Sequence, residues 1–158
     1  MVRWLCCIVV ARRLKVILAT AHGIALQLAL PSCTALRSIA LWITLDPPGG
    51  STACQQWAAS LALLQQIPTT HIERIGIGIV VDGEGFGESA LMQVKQMRWG
   101  NLLGSLGRFQ GLRRLEVMVV EEEELVGDDI WAVLYGQLRG VTFLGNGTRL
   151  VRTPARML

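Results

Sequence analysis

A short phrase of apolar and polar positions returns along this chain. It reads ALRSIALWI from Ala35, HIERIGIGI from His71, GLRRLEVMV from Gly111 and QLRGVTFLG from Gln137. Each copy holds an aliphatic residue, two polar or small residues, then apolar residues two apart: Leu36, Ile39, Leu41; Ile72, Ile75, Ile77; Leu112, Leu115, Val117; Leu138, Val141, Phe143. Alternation with a period of two predicts a β-strand in each copy. A degraded copy, ARRLKVIL, is read from Ala11 and would raise the strand number from four to five. Ile39, Leu41, Ile43, Ile75, Ile77, Ile79, Leu115, Val117 and Val119 then share one strand face and are expected to look into a core. The opposite face carries Ala40, Trp42, Thr44; Gly76, Gly78, Val80; Glu116, Met118, Val120; and Thr142, Leu144, Asn146. That mixture suits an open face better than a second core.

Between the phrases the period changes to that of a helix. Thr52 to Ile67 sets Trp57, Leu61 and Leu64 on one face, and Pro68 stops it. Ser89 to Phe109 carries Leu91, Val94, Trp99, Leu102 and Leu106, with a break or early end expected at Gly100, Gly104 and Gly107. Leu125 to Tyr135 supplies Ile130, Trp131 and Leu134, and Asp128 and Asp129 favour a helix start. Trp57, Trp99 and Trp131 each open an apolar stretch that leads into the next phrase. The unit is therefore helix, turn, strand, loop, with loops by composition at Asp46 to Ser51 and Asp82 to Gly87.

Right-handed crossovers would put every helix on one side of a parallel sheet. The expected fold is α/β, a short leucine-rich-repeat-like solenoid with a parallel sheet and helices on one face. The runner-up is a doubly wound domain of flavodoxin type, with helices on both faces. We divide the chain into an apolar N-terminal segment that holds the degraded repeat (1–34), a repeat domain (35–145) and a basic tail (146–158), expected to be frayed.

The kernel resembles the L-x-x-L-x-L of leucine-rich repeats. Its copies stand 36, 40 and 26 residues apart, counted from Ile39 to Ile75, Leu115 and Val141, so two units carry insertions beyond the usual period of ~20–29. Irregular spacing and Trp-bearing helices make Ala35 to Gly145 resemble the C-terminal leucine-rich-like region of F-box proteins, particularly the large fungal sets. The resemblance implies a non-catalytic module that holds a protein, as the substrate-recognition repeats of a ubiquitin-ligase subunit do. It departs from the family in two ways. Met1 to Ser32 lacks the Leu-Pro-rich helical opening of an F-box, so the ligase adaptor is an expected partner only if an F-box lies upstream. The asparagine that follows the kernel in standard repeats is replaced by Thr44, Val80 and Val120, with Asn146 alone fitting.

Composition narrows the functional classes. The 158 residues are 51% hydrophobic and 17% charged, which excludes global disorder. A net charge of +3, spread along the chain without interleaved aromatics, argues against nucleic acid as a partner. Arg3 and Leu5 to Ala11 outline a signal peptide, but Arg12, Arg13 and Lys15 follow where a cleavage site belongs, and Val16 to Leu30 falls short of a membrane span of ~20 residues. We expect a cytoplasmic or nuclear protein without membrane contact. Cys6, Cys7, Cys33 and Cys54 form no C-x-x-C, His22 and His71 have no ligand neighbours, and no nucleophile elbow or dinucleotide fingerprint occurs. No metal, cofactor or catalytic residue is expected. A small α/β enzyme of unknown reaction and a fragment with no independent function remain the alternatives.

The binding site expected on the open face comprises Arg37, Trp42, Arg74, Gly76, Gly78, Arg113, Arg114, Met118 and Leu144. Aligning the phrases sets Arg12, Arg37, Arg113 and Arg139 in one column, with Glu73 the exception, and Arg13, Arg74 and Arg114 in the next. Trp42 is expected beside the small Gly76 and Gly78, with Met118 and Leu144 beyond. An apolar anchor rimmed by arginine has the composition of an interface, and the rim would suit an acidic or phosphorylated protein segment. The plainer alternatives are solvated arginines and a tryptophan that merely covers its neighbour's glycines.

Overall fold

The repeated phrases become neighbouring strands. The computed structural model describes residues 6–10, 13–19, 36–45, 52–67, 71–81, 87–121, 127–143 and 149–152. Its elements are β1 (Cys6–Val10), β2 (Arg13–Ala19), β3 (Leu36–Thr44), α1 (Thr52–Gln66), β4 (Arg74–Val81), α2 (Gly87–Gln96), α3 (Trp99–Leu106), β5 (Arg114–Glu121), α4 (Gly127–Leu138), a 3-10 turn (Arg139–Phe143) and β6 (Arg149–Arg152). One sheet holds the six strands in the order β1-β2-β3-β4-β5-β6. β1 pairs antiparallel with β2, and β2 to β6 run parallel. The degraded phrase from Ala11 thus supplies a strand, β2, beside β3.

Register aligns the kernel positions across the sheet. Ile39, Ile75 and Leu115 are successive partners, as are Leu41, Ile77 and Val117, then Ile43, Ile79 and Val119. All are buried except Val119, which packs partly exposed against the same core. Leu36, Ile72 and Leu112, the first aliphatics of the three phrases, are buried as well. Each fully buried aliphatic contributes about 1.5–3 kcal/mol relative to exposure, so this grid accounts for why the phrase recurs. The same core takes Trp57, Leu61 and Leu64 from α1, Val94 from α2, Trp99, Leu102 and Leu106 from α3, and Ile130, Leu134 and Leu138 from α4. Trp57 and Trp99 touch, with ring centroids 4.4 Å apart and planes at 49°. A flavodoxin-type winding that put α1 and α3 on opposite faces would have separated these two indoles. The fold is α/β, with a sheet that is parallel except for the edge strand β1, and four helices contributing to one core.

The helix expected from Ser89 to Phe109 is two helices, and the break falls earlier than the glycines. α2 ends at Gln96 and α3 starts at Trp99, so Gly100 and Gly104 lie inside α3 and only Gly107 marks its end. Burial of Trp99 explains the position. In an unbroken helix the Val94 carbonyl would accept from the Arg98 N–H. Here the Trp99 indole N–H donates to that carbonyl at 2.8 Å, inside the core. The break turns the indole inward and satisfies the oxygen that it frees.

The fourth phrase is a correction to the expected strand set. Leu138 closes α4, and Val141 lies in the 3-10 turn, both fully buried. A spacing of three between two apolar residues serves a helical turn as well as the approach to a strand, and the helix already running from Gly127 carries through. The last strand comes from the tail instead. β6 pairs with Arg114 to Val117 of β5, and the Arg152 guanidinium donates to the Asp128 carboxylate at 2.6 Å. The same guanidinium lies 5.5 Å from the ring centroid of Trp131. Within the stretch expected to fray, β6 is fastened to α4 through Arg152.

Candidate functional site

Strand alternation leaves Ser38, Ala40, Trp42 and Thr44 of β3, Arg74, Gly76, Gly78 and Val80 of β4, and Arg114, Glu116, Met118 and Val120 of β5 on the face away from the core. Across the strands they form rows. Trp42, Gly78 and Met118 are partners, with Ala40, Gly76 and Glu116 in the row before and Thr44, Val80 and Val120 in the row after. The candidate surface is therefore brought together by pairing in the sheet. Leu144, placed with it from the sequence, lies outside the described residues.

Trp42 lies on Gly78, where the sequence suggested a trough beside it. A Cβ built at Gly78 would stand 2.4 Å from Cε3, 2.6 Å from Cζ3 and 2.7 Å from Cδ2 of the indole. Only a residue without a side chain admits the ring there. Gly76 differs, because a Cβ would meet Ala40 at 3.6 Å, an ordinary contact. Met118 is 8% exposed, unusually buried for a sheet face on which, among the described residues, no helix packs. The Trp42 indole N–H is also buried and has no acceptor among the described residues. Its ring is held by shape and contact, and an unmet donor of this kind costs about 1–3 kcal/mol.

The arginine columns are partly neutralised and partly rearranged. Arg37 donates to the Glu73 carboxylate across the start of β4. The backbones there are linked in sequence, from the Glu73 N–H to the Arg37 carbonyl at 2.9 Å and from the Arg113 N–H to the Glu73 carbonyl at 2.9 Å. Glu73, the exception in the column, thus separates two arginines. Register moves the second column, since Lys15 and not Arg13 pairs with Ser38, after a shift between Leu14 and Lys15. Arg139 lies in the 3-10 turn and leaves the first column. Arg149 enters the second column beside Arg114. Sequence reasoning missed Arg149, although Arg149-Leu150 repeats Arg74-Ile75 and Arg114-Leu115 at the strand starts.

Arg37 and Glu73 are both substantially exposed, so their pair is worth about 0.2–1 kcal/mol. Arg37→Ala is expected to lower the melting temperature by no more than about 4 °C. The difference should vanish in 1 M salt, where the Debye length falls to about 3 Å. A larger, salt-independent loss in thermal unfolding would show that Arg37 acts through packing.

The rest of the described surface holds no assembled chemistry. Among the described residues there is no group of three or more His, Cys, Asp or Glu that could hold a metal ion, and no helix is long and apolar enough to cross a membrane. A groove of about 720 Å³ between α1 and α3 is lined by Ala58, Ala62, Gly100, Gly104 and Ser105 among others. The Ser105 hydroxyl donates to the Asn101 carbonyl at 2.9 Å. Comparison with known protein families, with characterised proteins and with solved structures finds no match for this chain.

Proposed function

We propose that this protein is a non-catalytic interaction module, a short leucine-rich-repeat-like solenoid that holds a protein segment on the open face of its sheet. The reading rests on one observation. The face opposite the core presents a continuous band, from the Arg74 row through Gly76 to the Trp42, Gly78, Met118 row, and among the described residues no helix packs on it. Short neighbouring side chains beside a large aromatic let an extended segment approach the strands closely. The aromatic then supplies apolar contact area, and arginine supplies directional donors at the rim. An extended acidic segment fits that band by charge. The kernel spacing supports a likeness to the substrate-recognition repeats of F-box proteins, and docking on a ligase adaptor belongs to this reading only with an F-box upstream of Met1.

The test begins with proximity capture in the native cell, comparing the intact chain with Trp42→Ala, followed by calorimetry with the purified partner. Trp42→Ala is expected to weaken binding by at least about 2 kcal/mol, roughly thirtyfold, as removal of a central aromatic anchor does. If Trp42→Ala lowers the melting temperature and leaves affinity intact, the indole is packing and the anchor lies elsewhere.

A further inference from the structure

Register assembles a cationic row that the sequence scatters over more than a hundred residues. Ser38, Arg74, Arg114 and Arg149 are successive partners across β3, β4, β5 and β6. Each immediately precedes a core-facing residue, Ile39, Ile75, Leu115 or Leu150, so all four lie on the open face. Three guanidinium-bearing side chains thus start from adjacent strands at intervals of about 4.8 Å.

Like charges directly opposite one another in a sheet are unfavourable. The row is only partly compensated. The Glu116 carboxylate accepts from Arg114 Nε at 2.9 Å. Among the described residues no carboxylate stands within ion-pair distance of Arg74 or Arg149. Glu73, the nearest acid in sequence to Arg74, is engaged with Arg37. Arg114 is oriented by its bond to Glu116 through Nε, and its terminal NH2 groups remain to donate.

We propose that this row recognises a phosphorylated protein segment, with phosphate accepting from Arg74, Arg114 and Arg149 at the amino-terminal ends of β4, β5 and β6. The inference rests on the interaction-module reading and names the chemistry of its partner. A phosphate ester carries nearly two charges and three acceptor oxygens, so it takes hydrogen bonds from guanidinium groups on two neighbouring strands at once. A single carboxylate carries one charge and matches one fork. The Ser38 hydroxyl, between Lys15 and Arg74 in the register, adds a neutral donor. A nucleic-acid strand fits less well, because the row is short and, among the described residues, no aromatic ring stands free beside it for stacking. The nearest indole, Trp42, lies flat on Gly78.

The test uses the full chain and a fluorescein-labelled nine-residue Gly-Ala peptide carrying phosphoserine at its fourth and sixth positions, followed by anisotropy. Binding is expected to be at least about tenfold tighter than for the same peptide with serine. Arg74→Ala and Arg149→Ala should each weaken it about fivefold or more. Arg98→Ala removes the same charge between α2 and α3 and should change it less than about twofold. Thermal melting of each variant checks that it is folded. An equal loss in Arg98→Ala, equal binding of the serine peptide, or tighter binding of a labelled oligothymidylate of the same charge overturns the assignment. The two readings fail separately. Loss of the native partner in Trp42→Ala without any phosphopeptide binding leaves the module standing and removes the row. Phosphopeptide binding with a native partner indifferent to Trp42→Ala does the reverse.

Discussion

Trp99→Ala is expected to cost about 3–5 kcal/mol, a large part of the roughly 5–15 kcal/mol that holds a domain folded. Two losses add. The indole is 1% exposed and its ring centroid lies 4.4 Å from that of Trp57, so truncation opens a cavity where α1 meets α3. The indole N–H also serves the Val94 carbonyl at 2.8 Å, in place of the Arg98 N–H that an unbroken helix would supply. Trp99→Phe separates the contributions. It keeps much of the ring contact but strands the carbonyl, at about 1–3 kcal/mol. Urea unfolding followed by circular dichroism gives both values. A loss below about 1 kcal/mol for Trp99→Ala would mean that the junction of the two indoles is not part of the core.

Gly78→Ala should destabilise the chain by about 1–3 kcal/mol, and Trp42→Ala should reverse the sign of that effect. The added methyl group meets the indole at 2.4–2.7 Å, so the ring must lift from the strand and lose its contact. With Trp42 shortened to alanine, the three atoms nearest the new Cβ are gone. Replacing glycine then restricts the unfolded chain, a gain of about 0.4–1 kcal/mol. Gly76→Ala, one row away with its nearest contact at 3.6 Å, should be neutral or slightly stabilising in either background. A double-mutant cycle in urea measures the coupling. Additivity within about 0.5 kcal/mol would sink the stacked arrangement.

What could be read in advance followed from how strongly burial constrains each position. Three of the four phrases became β3, β4 and β5, because nine aliphatics with a period of two have one arrangement that hides them all. β2 was legible from the same sequence pattern, even in a degraded copy. The fourth phrase was ambiguous, since Leu138 and Val141 suit a helical turn as well as a strand, and α4 decided between them. Glycines misled the placement of the α2–α3 break. A helix tolerates Gly100 and Gly104 at a modest cost, whereas an indole that must reach the core does not tolerate an unbroken axis. The candidate surface was legible as a face but not as contacts. Trp42 was near Gly78 by alternation alone, but its lying on the glycine depends on a side-chain rotamer that no periodicity encodes. Arg149 escaped because four residues, Arg149 to Arg152, are too few to show a period.

Strand order matches chain order from β1 to β6, and this bears on how the protein forms during synthesis. A growing chain leaves the ribosome amino end first. Each strand of this sheet emerges next to a neighbour that is already present, and none waits for a partner still to be made. Loop closure joins strands that are consecutive in the chain, one connection at a time, so the entropy of bringing strands together is met in small steps. A doubly wound sheet lacks this property, because its central strands must hold open an edge for later arrivals. The short β6, clasped to α4 through Arg152 and Asp128, is then the last piece to dock, and synthesis itself lays the sheet down in order.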